Sequence, residues 1–320
     1  MNISLADIRE KLDRISDVWF HFVWDYRFLR TEVNFNEETS TTFFGDILTY
    51  FGDTFELLSM SNNSKTYQEN TFFFTGLMQI IYVQQDLVEE LMYAFKLDRG
   101  KQMANDPDRS INRNLRNELI GHPIRRSKEE SNSLVSSVIF GNQLSNEKIH
   151  YVLYARENEF KGQEVEHKLT EIIERHITFL NRYFDFILEK IKIILDRFNK
   201  KILELQKVIK NESVSFESKV ELVGQLFESI FKENYLYKKE ILIEINKRYN
   251  EHHRYKFAME MFLSELEDLM IGKMESANEL LVPKKKVLNI NEFVPPNINI
   301  VFSSDPAPKM KTKSETMVMS

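Results

Sequence analysis

An arginine, an asparagine and a histidine stand within one short segment of the chain, at Arg116, Asn117 and His122. An imidazole can accept a proton at neutral pH, as a general base must. A guanidinium has a permanent charge and planar donors that fit phosphate oxygens, including the charge that builds in a phosphoryl transition state. Together these groups could deprotonate a ribose 2′-hydroxyl and stabilise the attacked phosphate without a metal ion.

The order of these residues resembles the signature of the HEPN (higher eukaryotes and prokaryotes nucleotide-binding) family. In that signature an Arg and a following polar residue, often Asn, precede a His. Arg116, Asn117 and His122 match this order, and five residues separate Arg116 from His122. The resemblance covers about residues 1–130, and it implies an N-terminal helical bundle with ribonuclease activity.

Each motif residue has a role in the implied reaction, which is metal-independent endoribonuclease cleavage leaving a 2′,3′-cyclic phosphate. His122 would act as the general base, Arg116 would bind the scissile phosphate and stabilise its transition state, and Asn117 would orient the substrate. The resemblance also implies a toxin or antiviral-defence setting. An antitoxin or another regulatory partner would then restrain the enzyme.

The motif lies in a basic part of an acidic protein. The whole chain has a formal net charge of -6, yet residues 96–128 contain nine basic and four acidic residues. Locally positive surface binds phosphate backbones, so arginines near the motif are expected to bind RNA. The predicted substrate-binding residues are Arg113, Arg125 and Arg126. Asp86 and Glu89, in the preceding helical segment, are predicted to be supporting acids.

The spacing of the motif raises a geometric difficulty. Six positions along a regular α-helix leave Arg116 and His122 about 120° apart around the axis. One straight helix would therefore not direct both side chains at the same atom. Either a bend at Gly121 or a second subunit must bring them together. The HEPN resemblance implies that two motifs meet across a dimer interface, so a homodimer is predicted.

Other interpretations of the motif remain open. Arg116 could cap a helix or form an ion pair within the bundle, while His122 ends a helix with its ring bonded to Asp86 or Glu89. The chain has Ile124 where some toxin members carry a Tyr, two residues after the His, and degenerate members of the family exist. An inert RNA-binding domain is therefore one alternative. A non-catalytic helical protein-interaction module is another.

Neither a cofactor nor a metal ion is expected. The chain has no cysteine, which excludes disulfides, thiolate nucleophiles and zinc sites that need sulfur. Glu164 and His167 have the Glu-x-x-His spacing used by di-iron helical bundles, but no convincing second pair accompanies them.

Apolar spacing predicts mainly helical structure before the motif. The three predicted helices cover residues 3–28, 41–60 and 68–95. Ser4 and Asp7 are spaced like a capping pair at the start of the first helix. A fourth helix is expected to begin near Asp108 or Ser110 and to carry the basic residues toward His122.

The overall prediction is an all-α fold with one small β-hairpin insertion and a long C-terminal helical hairpin. The two helices of that hairpin are predicted over about residues 158–210 and 215–272. The four predicted regions are the HEPN-like helical bundle (residues 1–130), a β-hairpin connector (131–156), the long helical hairpin (157–280) and a flexible tail (281–320).

The sequence also predicts a cytoplasmic protein without a membrane segment. Charged residues occur throughout the first twenty positions, and the pattern of a secretory signal is missing. Polar or charged residues interrupt the most apolar stretches well before the length of about 20 apolar residues that a spanning helix needs. The lack of cysteine fits a reducing compartment.

Overall fold

A computed structural model of the chain describes residues 4–24, 26–59, 66–98, 100–126, 132–139, 144–145 and 147–215, together with Ser218, Glu221, Leu222, Lys247 and Ser264. These residues are mostly helical, with a small four-stranded antiparallel sheet. The predicted second long helix, apart from a few isolated residues, and the predicted tail lie outside the described residues. No helix within the described ranges is both long and apolar enough to cross a membrane.

The described helices match the predicted segments in part. They are α1 (Leu5–Val18), α2 (Arg27–Glu32), α3 (Phe43–Phe55), α4 (Tyr67–Ala94), α5 (Gly100–Ala104), α6 (Pro107–Arg116) and α7 (Leu169–Lys210), with π-helical turns at Trp19–Val23 and Asn117–Gly121 and 3₁₀ turns at Glu56–Leu58 and Arg156–Asn158. The first helix is shorter than the one predicted over residues 3–28, because α1 passes into a π turn and α2 is a separate element.

Side-chain caps fix where the main helices begin. Ser4 and Asp7 form the predicted capping box at α1, in which each side chain accepts a hydrogen bond from the other residue's backbone N–H. Thr66 and Glu69 form a second capping box at α4. These caps satisfy amide groups that the first turn of a helix leaves without partners.

The sheet is larger than the predicted hairpin. Its strands are β1 (Ile124–Arg126), β2 (Leu134–Val138), β3 (Lys148–Tyr154) and β4 (Gln163–Lys168), in the order β1-β2-β3-β4. The predicted hairpin corresponds to β2 and β3, and the prediction of only two strands was wrong. β1 follows Pro123, which has no amide hydrogen with which to continue a helix.

The start of the first long helix was also predicted wrongly. Residues 158–168 do not form its first turns, because β4 pairs along its whole length with β3, from Lys148 opposite Lys168 to Leu153 opposite Gln163. Val165 is the single aliphatic side chain in β4, too little to form a helical apolar face. The long helix therefore begins at Leu169.

The core forms along α7, whose aromatic side chains contact the N-terminal helices. The Phe198 ring lies 4.9 Å from Tyr26 and 6.0 Å from Phe22, measured between centroids. The Phe184 ring lies 5.7 Å from that of Phe51 in α3. The described residues of the N-terminal helices thus share one core with α7, and they belong to one compact unit.

A buried histidine links α7 to α4. His176 is completely buried, and its Nε2 lies 2.7 Å from the Gln84 side-chain oxygen. The Gln84 side-chain amide in turn donates to the Thr54 hydroxyl at 2.7 Å. Burial lowers the pKa of His176 from 6.5 to about 3, so the ring stays neutral in the folded protein at neutral pH.

Folding stability should therefore fall as the solution becomes more acidic. Between pH 6.5 and about 3 the unfolded chain binds a proton at His176 while the folded chain does not. The free energy of unfolding should lose up to about 1.4 kcal/mol per pH unit across this window from this residue alone. Urea unfolding of wild type and His176→Gln at pH 7 and pH 5 measures the effect. Equal pH dependence in both proteins would contradict it.

Candidate active site

Contacts with α7 fix the position of α6, which carries the motif arginine. The Asp106 carboxylate caps α6 and accepts hydrogen bonds from Arg182 and, at 3.2 Å, from the Tyr183 hydroxyl. Further along, the buried Asn112 amide donates to the Ile172 carbonyl at 2.9 Å. α6 is thereby held at its start and at its middle by the longest described helix.

α6 ends in the π turn Asn117–Gly121 rather than in a regular α-helical turn. The His122 amide donates to the Asn117 carbonyl at 2.7 Å and closes this wider turn. Gly121 lies directly against the Arg116 side chain, because a Cβ atom at this position would be 2.8 Å from Arg116 Nη1. The π turn and the missing side chain of Gly121 therefore create the space that the guanidinium occupies.

The Arg116 guanidinium has a defined position between α4 and the π turn. Its Nη1 donates to the Asn117 side-chain oxygen at 3.1 Å, and its Nη2 donates to the Gln79 side-chain oxygen at 3.0 Å. Its central carbon lies 4.6 Å from the centre of the Tyr82 ring. Among the described residues no carboxylate pairs with Arg116, so its positive charge is available to an anion.

The two predicted supporting acids contact neighbouring arginines. Asp86 accepts a hydrogen bond from Arg113 at 2.7 Å, and Glu89 accepts one from Arg109 at 3.0 Å. Arg113 also lies over the Tyr82 ring, 3.9 Å from its centre, so Tyr82 contacts two guanidinium groups. Asp86 offsets the charge of Arg113, and Arg116 is left as the unneutralised arginine of the pair.

His122 ends the π turn with its side chain exposed to solvent. Its imidazole makes no hydrogen bond or ion pair with any described residue, Asp86 and Glu89 included. Its backbone is more firmly held, because its carbonyl accepts from Arg125 at 3.5 Å and the next carbonyl, that of Pro123, accepts from the Ser137 amide at 2.8 Å. The structure fixes the main chain around His122 and leaves the ring accessible.

The remaining predicted arginines lie on the edge strand β1. Arg125 Nη2 is 3.6 Å from a carboxylate oxygen of Glu118. Arg126 is exposed and donates to the Asn132 carbonyl at 3.2 Å. Within the described part of the chain, Arg126 therefore resembles Arg116 in having no carboxylate partner.

Glu118 connects the π turn to the sheet. Its carboxylate accepts hydrogen bonds from the hydroxyls of Ser137 on β2, at 2.9 Å, and Tyr151 on β3, at 3.1 Å. Burial, together with the negative charge of Glu118, raises the pKa of Tyr151 well above its ordinary value and keeps that hydroxyl protonated as a donor. With Arg125, Glu118 thus contacts three strands from within the motif segment.

Removing the Glu118 carboxylate should destabilise the protein. Ser137 and Tyr151 are both buried, so Glu118→Ala would leave two hydroxyls without acceptors. At about 1–3 kcal/mol for each unsatisfied group, the free energy of unfolding should fall by about 2–6 kcal/mol. Glu118→Gln retains one acceptor oxygen and should lose about half as much. Urea unfolding measures both variants, and a loss below about 1 kcal/mol for Glu118→Ala would contradict the connecting role.

Several residues of this site were not identified from the sequence. Gln79 and Tyr82 hold Arg116, although the signature contains neither. Gln79 is a polar residue within the apolar stretch of α4, and Tyr82 follows it by three positions, so both lie on one helical face. This shared face, together with the basic segment that follows in the sequence, could have predicted that both residues contact an arginine.

The described residues contain no group of three histidine or acidic side chains placed to hold a metal ion. Glu164 and His167, which have Glu-x-x-His spacing, lie on strand β4, where an odd separation places side chains on opposite faces.

Comparisons with protein-family models, with curated proteins and with solved structures find no match for this chain.

Proposed function

We propose that the protein is a metal-independent endoribonuclease of the HEPN type. One observation supports this most strongly: the Arg116 guanidinium, without a carboxylate partner, is held against a π turn that ends at the exposed His122. π turns within helices frequently occur at functional sites. An unneutralised arginine and an accessible imidazole would supply a phosphate-binding group and a base.

In the proposed reaction, His122 removes the proton from a ribose 2′-hydroxyl. The 2′-oxygen then attacks the adjacent phosphorus, and the bond to the 5′-oxygen of the next nucleotide breaks. The products are a 2′,3′-cyclic phosphate and a 5′-hydroxyl, whose proton comes from water or from a second imidazole. Arg116 stabilises the negative charge that develops on the phosphate oxygens during attack.

The neighbouring arginines have unequal parts in RNA binding under this proposal. Arg126 has no carboxylate partner among the described residues and would contact the RNA backbone directly. Arg113 and Arg125 are paired with Asp86 and Glu118, so their net contribution to phosphate binding is smaller. Asn117 orients the Arg116 guanidinium through its side-chain oxygen and, through that group, the bound phosphate.

The complete site is proposed to form in a homodimer. The Arg116 guanidinium lies against α4 and Gly121, whereas the His122 ring is exposed and forms no hydrogen bond or ion pair with the described residues. A second copy could bring its own His122 to the phosphate bound at Arg116. An antitoxin-like or other regulatory protein that covers His122 would restrain such an enzyme.

Mixing two inactive variants tests this arrangement. Arg116→Ala and His122→Ala proteins should each fail to cleave RNA in excess EDTA, and their mixture should regain activity as subunits exchange. Restoration occurs because each mixed dimer contains one site with both an intact arginine and an intact histidine. Double-variant protein mixed with wild type is the control for subunit exchange. Inactivity of wild type towards every RNA tried would contradict the ribonuclease itself.

A further inference from the structure

An exposed aromatic ring lies on the same face of α4 as the contact with Arg116. Phe72 is 84% exposed, the highest value among the large hydrophobic side chains of the described residues. Single exposed hydrophobic side chains are common on protein surfaces, but a ring this exposed, close to a cationic group, offers a face on which a nucleic-acid base can stack. Phe72 precedes Gln79 by seven residues, two helical turns, so the two side chains are about 20° apart around the axis and about 10 Å apart along it.

Part of the helix surface between Phe72 and Gln79 carries no side chain, next to the half-buried Thr75. Gly76 lies between them on the same face, is exposed, and has no atom within 4 Å of the position that a Cβ would take. Glycine inside a helix costs about 0.5–1 kcal/mol relative to alanine. Its presence in the middle of a 28-residue helix is explained if a ligand approaches the backbone there.

We propose that Phe72 and Gly76 form a subsite for one unpaired nucleotide of a single-stranded RNA. The base stacks on the Phe72 ring, its ribose and phosphate pass over Gly76, and the following phosphate reaches Arg116, which Gln79 holds. This inference rests on the proposed function, since it names the form of RNA that the same site accepts.

The chemistry of the surface selects an unpaired base. Proteins bind single-stranded RNA by combining a cationic group for the backbone with aromatic rings on which the bases stack. Base-paired RNA keeps its bases inside the helix, where a ring on a protein surface cannot reach their faces. Stacking makes no use of base edges, so the subsite should accept all four bases with similar affinity.

Binding to RNA that cannot be cleaved tests the subsite apart from catalysis. The probe is a short fluorescein-labelled single-stranded RNA with 2′-O-methyl groups throughout, compared with a duplex of the same sequence. Stacking contributes about 1–3 kcal/mol per base, so Phe72→Ala should weaken single-strand binding about 5- to 150-fold. Phe72→Tyr keeps a stacking ring and should bind as wild type does. Neither substitution should change binding of the duplex.

A bulky side chain at Gly76 provides an independent test. Gly76→Leu should raise helix stability, because leucine is the better helix former, yet should weaken single-strand binding at least about fivefold by filling the open space. Phe160→Ala is the control, since Phe160 is a half-exposed ring on the connection between β3 and β4. An RNA with one abasic nucleotide at the stacked position should no longer respond to Phe72→Ala.

The possible results separate the subsite from the catalytic proposal. Wild-type affinity in Phe72→Ala or Gly76→Leu overturns the subsite, as does an equal loss in Phe160→Ala or for the duplex. Binding that depends on Phe72, without cleavage of ordinary RNA, supports the subsite and contradicts the ribonuclease. Absence of RNA binding by the wild type overturns both proposals.

Discussion

Arg116→Ala should lower the rate of RNA cleavage about 100- to 1,000-fold, the loss typical when one preorganised donor to a transition-state charge is removed. Arg116 is the motif arginine whose charge no described carboxylate offsets, and its donors are already placed by Gln79 and Asn117. Arg116→Lys should not restore the rate, because an ammonium lacks the planar fork of donors that bonds to the Asn117 and Gln79 oxygens while facing the Tyr82 ring. Single-turnover cleavage at saturating protein measures these rates.

Two matched substitutions show whether the position of Arg116 matters as well as its charge. Arg113→Ala should cause a smaller loss, since Asp86 already offsets that charge. Gly121→Ala introduces a Cβ 2.8 Å from Arg116 Nη1 and should displace the flexible guanidinium without unfolding the protein. Its cleavage rate should therefore lie between those of wild type and Arg116→Ala. A rate for Arg116→Ala within about twofold of wild type would contradict the assigned role.

His122→Ala should lower the cleavage rate at least about 100-fold, as expected when a general base is lost. The side chain is exposed and bonds to no described residue, so the free energy of unfolding should change by no more than about 0.5 kcal/mol. RNA affinity should also stay close to that of wild type, because phosphate binding is assigned to Arg116 and Arg126. Cleavage, urea unfolding and RNA binding are measured on the same preparations.

Imidazole added to the solution distinguishes a missing base from a damaged site. His122→Ala should recover part of its activity as the imidazole concentration rises, whereas Arg116→Ala should not respond. A folded His122→Ala protein that cleaves as fast as wild type would contradict a catalytic imidazole at this position. The general base would then be another residue.

Much of the helical structure could be predicted because its signals are local. The apolar spacing of α4 and the pairing of Ser4 with Asp7 depend on residues a few positions apart, and both predictions are confirmed. Strand β4 could not be predicted in this way, because its stability comes from pairing with β3, including the contact of Lys148 with Glu166. Such pairing is a tertiary effect that outweighs the local pattern.

In the candidate site, too, local sequence patterns could be predicted and tertiary contacts could not. The sequence indicated Arg116, Asn117 and His122 as one unit, and the structure places the first two in direct contact. The sequence could not indicate that Asp86 and Glu89 would pair with arginines, because those contacts depend on how α4 packs against α6. The π turn could not be predicted either, since no residue type specifies it. The bend expected at Gly121 is instead a widened turn.

The most direct test of the central claim is the chemistry of the RNA ends left by the purified protein. Wild type is incubated in excess EDTA with a single-stranded RNA and with the same RNA bearing one 2′-deoxy nucleotide at the cleaved position. A ribonuclease using His122 and Arg116 predicts 2′,3′-cyclic phosphate and 5′-hydroxyl ends, and no cleavage at the 2′-deoxy position. Cleavage that continues there, or that leaves 5′-phosphate ends, would contradict attack by the 2′-hydroxyl.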